Sequence, residues 1–211
     1  MPRAKCCLCE SRPPRRACPA LGRDICAVCC GSQREETIDC PLDCPHLVEA
    51  RQHEKIPEPD PATLPHADVE ISSHWLREHD SLVLLAGHFL LLAATEAPGA
   101  VDSDLRDALE ALTRTYRTSA SGLIYETRPS NLIAAAIADR FRKEMEAARE
   151  RAAQKTGVHA IRDQDVFGAL VFWQRMAWQT NNRRRRGKAF LTSLFSLLPA
   201  RTARQPNPLI I

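Results

Sequence analysis

Apolar residues along this chain change rhythm near residue 65. Before it they stand singly among prolines and cysteines; beyond it they recur at three- and four-residue steps, the spacing of one face of an α-helix. The pattern predicts a first helix from a cap at Ser72 or Ser73 through Trp75, Leu76 and the run Leu82 to Ala94, stopped by Pro98-Gly99. This run is apolar nearly all round, which predicts the buried centre of a bundle. Asp102 or Ser103 caps a second helix, with Leu105, Leu109, Leu112 and Tyr116 on one face and a stop at Ser119-Ala120-Ser121-Gly122. Pro129 stands at a first helical position and opens a third, of about 25 residues. Its stripe is Ile133, Ile137, Phe141, Met145 and Ala148, and Gly157 ends it. Asp163 or Asp165 opens a fourth through Val166, Phe167, Leu170, Val171, Trp173 and Trp178. A fifth spans Ala189 to Leu198, stopped by Pro199.

Upstream, His46 to Glu54 reads as one short helix. It is followed by Pro57, Pro59, Pro61 and Pro65, which exclude helix and central strand and predict a semi-extended linker. The expected organisation is a Cys-rich module over residues 1–54, a Pro-rich linker over 55–65, a helical bundle over 66–198 and a flexible tail over 199–211. The fold class is mainly α: a small, irregular, metal-stabilised N-terminal module followed by a helical bundle. The longest apolar run is broken by Gly87-His88 and falls short of the ~18–20 residues of a membrane span.

Composition changes the picture in one place. All nine cysteines of the 211-residue chain fall between Cys6 and Cys44. Cys6-Cys7-Leu8-Cys9 and Cys26-Ala27-Val28-Cys29 are two-residue knuckles, and Cys40 and Cys44 are a wider pair. Two residues between thiolates let a tight turn present both sulfurs to one tetrahedral ion, at about 2.3 Å each. A segment this short buries too little apolar surface to fold alone, so the metal would supply the missing free energy. The expected pairing puts Cys6 (or Cys7), Cys9, Cys26 and Cys29 on one ion. Cys18, Cys30, Cys40 and Cys44 take a second, with His46 as a substitute ligand. Gly31, directly after Cys30, is expected to take the positive φ of a knuckle turn.

This interleaving resembles the binuclear cross-brace zinc modules, such as the RING and ZZ types, and more loosely the treble-clef fingers. The likeness covers residues 6–46 and implies a zinc-built fold, but no activity. The whole chain is similar to bacterial proteins with a Cys-rich head and a helical body, which implies no activity either. Two zinc ions are the preferred cofactors, and an iron–sulfur cluster is the alternative, since Cys18, Cys40 and Cys44 each precede proline. Disulfides fit poorly with nine cysteines and a start, Met1 to Lys5, without a secretory signal. Reduced thiols imply the cytoplasm.

Charge divides unevenly. Residues 1–46 are nearly balanced at +1, residues 47–180 carry −5, and residues 181–211 hold seven basic side chains and no acid. Two four-thiolate zinc sites would bring the head to about −3, so its arginines are expected to neutralise sulfur. The tail's positive charge centres on Arg183, Arg184, Arg185, Arg186 and Lys188, which read either as a solvated turn or as phosphate contacts to nucleic acid. Phe190, Leu191, Leu194, Phe195, Leu197 and Leu198 follow at helical spacing and suit packing on the bundle better than a membrane surface.

Catalytic signals are thin. His74, His79 and His88 are spaced five and nine apart and do not share a helical face. Glu144 with Glu146, and Asp102 with Asp104, read as solvated faces and helix starts, and no phosphate loop or nucleophile elbow is present. The expected function is a non-enzymatic, zinc-stabilised interaction or adaptor protein with a protein partner and no evident small-molecule substrate. A nucleic-acid-binding or regulatory role is the runner-up, and a metal or redox enzyme the third reading.

Overall fold

In the computed structural model, which describes residues 4–156 and 161–198, apolar side chains collect in two separate cores. The N-terminal one is largely sulfur: Cys6, Cys18, Cys26, Cys29, Cys30, Cys40 and Cys44 are buried with only Ile25, Ile38 and Leu47. The scaffold around it is slight. Strand β1 (Arg16–Cys18) pairs antiparallel with β2 (Arg23–Ile25), placing Arg16 opposite Ile25 and Cys18 opposite Arg23. Helix α1 (Ala27–Gln33) follows directly. Helix α2 (Pro45–Arg51), with Pro45 at its first position, closes the head. Gly31 lies inside α1 and keeps an ordinary backbone conformation. Left-handed conformations in the head fall instead at Glu10 (φ 51°), Glu35 (φ 54°) and, between the strands, Gly22 (φ 60°).

The second core belongs to α3 (Ser73–Glu78), α4 (Asp80–Glu96), α5 (Asp102–Ala120), α6 (Leu132–Thr156), α7 (Asp163–Gln179) and α8 (Ala189–Leu197). Helices α4 and α5 each pack against both α6 and α7, giving a four-helix ring, and α8 lies across α4 and α5. Helix α4 is therefore one wall of the ring and not its axis, and Leu84 on its outer side is 52% exposed. Small residues set how closely it approaches α7. A Cβ on Gly87 would sit 2.3 Å from the Trp173 ring, while the indole N–H of Trp173 donates to the Val83 carbonyl at 2.8 Å. Gly168 makes the same allowance for Trp75.

Three boundaries differ from the sequence pattern. The expected first helix is two: Ser72 caps it as predicted, its Oγ accepting from the Trp75 N–H at 3.1 Å, but the chain breaks at His79. There the imidazole hydrogen-bonds the Trp75 carbonyl at 2.9 Å and stacks on its indole. Helix α5 is preceded by Val101, whose N–H donates to the Asp104 carboxylate at 2.9 Å. Helix α6 begins at Leu132, three residues after Pro129, because Asn131 Oδ1 accepts the Ile133 N–H at 2.9 Å and caps it. Its stripe is buried as the periodicity required, with Ile137, Phe141 and Met145 fully enclosed. The expected stops at Gly157 and Pro199, and the tail over 199–211, lie outside the described residues.

The proline segment is held against the body. Asp60 caps a single 3-10 turn at Pro61–Thr63, and the Trp178 indole N–H donates to Thr63 Oγ1 at 2.9 Å. Arg175 then donates to the carbonyls of Pro65, His66 and Val69. Among the described residues no helix is long and apolar enough to cross a membrane.

Candidate metal centre

Each knuckle is a turn that aims amide N–H groups at sulfur. In the first, Cys6 Sγ accepts from the N–H groups of Leu8 and Cys9, and Cys9 Sγ from those of Ser11 and Arg12. The Glu10 N–H closes the turn on the Cys6 carbonyl at 2.9 Å. In the second, Cys26 leads α1 and its Sγ accepts from the Cys29 N–H at 3.3 Å. Strand pairing presents the two turns to each other, so the sulfurs of Cys6, Cys9, Cys26 and Cys29 all lie within 4.8 Å of one another. Among the described residues this is the only such group.

The geometry fits one tetrahedral ion. Bonds of about 2.3 Å to four sulfurs imply sulfur–sulfur edges of about 3.8 Å, and Cys9 Sγ stands 4.0 Å from Cys26 Sγ. None of the nine cysteines is cross-linked. Their electrostatics suit thiolates in part. Hydrogen bonds from the Ser11 side chain and backbone hold Cys9 down at about 5. Burial pushes Cys6 up, but amides from Cys26, Cys9 and Leu8 outweigh it and leave it lowered. Cys29 is pushed up to about 12, first by its hydrogen bond with Cys26 and then by burial. Four sulfurs this close cannot all ionise without a cation between them. The Arg12 guanidinium, beside Cys26 and Cys9, supplies one neighbouring positive charge.

The other predicted quartet is placed differently. Cys18, Cys30, Cys40 and Cys44 are buried and line one cavity, which His46 also borders, but their sulfurs do not close to the spacing of the first group. Arg16 Nη1 donates to Cys30 Sγ at 3.3 Å, the kind of neutralising contact the charge balance called for. Cys7 belongs to neither set. It is only partly buried, and its N–H donates to the Asp24 carbonyl at 3.3 Å.

The residue that sequence reasoning missed is Glu35. It is fully buried, at a left-handed turn just after α1. Its carboxylate accepts from Arg51 Nη2 (2.6 Å), the Lys188 N–H (2.9 Å) and Asn182 Nδ2 (3.1 Å), and its carbonyl accepts from the Arg186 N–H (2.6 Å). The partners in the tail segment are about 150 positions away, so nothing local marks Glu35 off from the acidic residue beside it.

Glu35 fixes where the basic run goes. Residues 182–188 lie on the head: Arg184 donates to the Arg34 carbonyl (2.8 Å) and to Glu54 (3.4 Å). Lys188 Nζ donates to Asp39 (2.7 Å) and the Cys40 carbonyl (3.3 Å), and Arg186 stands 3.8 Å from Asp39. Arg183 and Arg185 are exposed. Immediately beyond, Asp102 accepts the N–H groups of Phe190 and Leu191 at 2.9 and 3.0 Å and donates its own N–H to the Gly187 carbonyl at 2.8 Å. Burial pushes the Asp102 carboxyl up to about 6, against those two amides. It stands at a helix start as expected, but enclosed and not solvated, as does Asp104. Phe190, Leu191, Leu194 and Leu198 pack inward, while Phe195 and Leu197 stay exposed.

The remaining candidates disperse. His74 is exposed beside Glu78, His79 is engaged with Trp75, and neither joins His88 in a metal-binding group among the described residues. Trp173 is core, with Phe172 against its edge. Set against protein families, curated proteins and solved structures, the chain matches none.

Proposed function

We propose that this chain is a non-enzymatic interaction protein of the cytoplasm, whose head is built on structural zinc and docked on its helical body. One observation carries the reading: four sulfurs from two facing knuckles lie within 4.8 Å of one another, three of them buried. Thiolates fill every position of a tetrahedral ion there, leaving none for water or a substrate. The ion supplies cross-linking free energy, and the residues supply the ligands, the N–H···S bonds that orient them and the guanidinium of Arg12 beside them. Spacing this tight suits one ion, since a cluster spreads its four thiolates over two or more irons and so holds them further apart as a set.

The binding role rests on what the knuckles display. Leu8 and Val28, each in the middle of a knuckle, are 44% and 57% exposed, so the metal would fix the backbone beneath two apolar side chains that face solvent. Elemental analysis with thiol counting on the full chain tests the metal: colourless protein with stoichiometric zinc is expected. Visible absorbance, or protein free of metal with its head still folded, would overturn the reading.

A second reading, nucleic-acid binding, is favoured only by Arg183 and Arg185, since Arg186, also exposed, is paired with Asp39. Two phosphate contacts would give a log–log salt slope of about −2. Retention on nucleic acid is expected to be negligible and unchanged in the Arg183→Ala/Arg185→Ala protein. Salt-sensitive retention abolished in that variant would promote the second reading.

A further inference from the structure

We propose that Cys18, Cys30, Cys40 and Cys44 hold a second thiolate-bound divalent ion, of the zinc class, which fixes the joint between head and bundle. The four sulfurs come from four places: the end of β1, helix α1, the loop after Ile38 and the residue before α2. All four are at most 8% exposed, and they line a single cavity of about 10 Å³, room for one water-sized particle.

Buried cysteines often serve as small apolar residues, and that is the competing account. Two features separate this set from it. A charged hydrogen-bond donor is aimed at one of the sulfurs: Arg16 Nη1 at Cys30 (3.3 Å). A guanidinium against a buried sulfur stabilises a thiolate, which an apolar filler does not need. The chain order also alternates: Cys29 serves the first quartet and Cys30, the next residue of α1, faces the second cavity. Ligation requires these sulfurs to draw closer than they stand, and His46 at the cavity edge offers a nitrogen in place of one of them. Soft thiolates select a zinc-class ion over magnesium or calcium.

The consequence reaches beyond the head. The Glu35 carboxylate accepts from Asn182 Nδ2 and the Lys188 N–H, while Lys188 Nζ rests on Asp39 and the Cys40 carbonyl. An ion on Cys40 and Cys44 thus holds the turn that grips the tail segment, and the ion on the first quartet does not touch it.

Native mass spectrometry of the full chain, purified with zinc and without chelator, tests the site. Two zinc ions are expected, falling to one in Cys40→Ser/Cys44→Ser and to one in Cys6→Ser/Cys9→Ser. A wild-type count of one, or a Cys40→Ser/Cys44→Ser protein that keeps two, overturns the proposal. Should either variant misfold, alkylation of the wild-type chain with peptide mapping decides. With two equivalents of zinc, Cys7 reacts and the other eight are protected; with one equivalent, enough for the first quartet alone, Cys18, Cys30, Cys40 and Cys44 are expected to react at least tenfold faster. Equal protection at one and at two equivalents means apolar burial and overturns the second ion. One zinc guarding only Cys6, Cys9, Cys26 and Cys29 sinks this proposal and leaves the structural-zinc reading standing; no zinc at all sinks both. The joint has its own readout. Hydrogen exchange at the Lys188, Phe190 and Leu191 amides is expected to quicken at least tenfold in Cys40→Ser/Cys44→Ser and not in Cys6→Ser/Cys9→Ser, and unchanged exchange removes the link to the bundle.

Discussion

The head and the body of this protein solve the same problem with different materials. The body buries Trp173, Phe141, Phe190, Leu90, Leu105, Leu109 and other large side chains completely, each worth about 1.5–3 kcal/mol. The head encloses three large aliphatic side chains, Ile25, Ile38 and Leu47, and otherwise buries sulfur. Ordering each residue costs about 1–2 kcal/mol, so three such side chains cannot hold some forty residues of mostly irregular chain. Each part is vulnerable in its own way: the body to a change of shape, the head to a change of ligand. Between them lies a third kind of contact, in which the buried carboxylate of Glu35 takes up the Lys188 amide, just before Asp102 of the body takes up those of Phe190 and Leu191.

The largest expected effect separates the two cores outright. A structural zinc contributes roughly 10 kcal/mol or more, far above what a domain's margin tolerates. Thorough chelation, which removes every ion, is expected to unfold the head while α4, α5, α6 and α7 keep their helical circular dichroism and a separate thermal transition. Hydrogen exchange resolved by peptide checks it. Head amides that stay protected after chelation would mean that sulfur packing alone holds the module.

Glu35→Ala comes next. It leaves Arg51, whose side chain is 14% exposed, and the Lys188 amide facing a hole where a carboxylate stood. Breaking a buried charged pair from one side costs about 3–5 kcal/mol, here from the joint and not from either core. Urea unfolding should show that loss, with Glu35→Gln in between because the amide keeps one acceptor oxygen. A loss under 1 kcal/mol for the alanine variant would make the joint incidental.

These two tests also mark what the sequence could disclose. Period and spacing carry the body's helices and the facing knuckles, because helical faces and two-residue turns are local devices. The split at His79 was hidden, since an imidazole bonding the Trp75 carbonyl leaves no gap in the apolar pattern. The start of α6 was misplaced because a capping asparagine, Asn131, outcompeted a proline two residues earlier. Gly31 was credited with a turn that Glu10 and Glu35 make. Glu35 itself could not be read, because its role depends on a tail segment that only folding brings near.

Asp102 gives the body a pH dependence of its own. Its carboxyl, near 3.8 when unfolded, is pushed up to about 6 chiefly by burial. The folded state therefore holds its proton more tightly, and the slope of stability with pH is negative wherever the native state binds more protons. The contribution is fully present below about pH 4 and is lost as pH rises through about 6, a fall on the order of 2–3 kcal/mol. Thiolate protonation pulls the other way in the same window by releasing metal, so the measurement is a difference. Subtracting the stability of Asp102→Asn from that of wild type between pH 4 and 7 should give a declining curve. A flat or rising one would show that the amides of Phe190 and Leu191 outweigh burial.

The smallest effect discriminates within one short run of like charges. Lys188, whose side chain is 12% exposed, pairs with Asp39 and the Cys40 carbonyl, and Arg184 caps the Arg34 carbonyl. Arg183 and Arg185 project into solvent. A partly buried pair of this kind is worth about 1 kcal/mol, and a solvated arginine less than about 0.5. Lys188→Ala and Arg184→Ala should each lower the urea midpoint measurably, whereas Arg183→Ala/Arg185→Ala should leave it unchanged. Four consecutive arginines look equivalent in a charge count, yet the fold commits some to its own carbonyls and carboxylates before any external anion arrives. Equal losses from the three variants would mean the run acts as an undivided patch, and the head would then be docked by general attraction and not by the fixed contacts around Glu35.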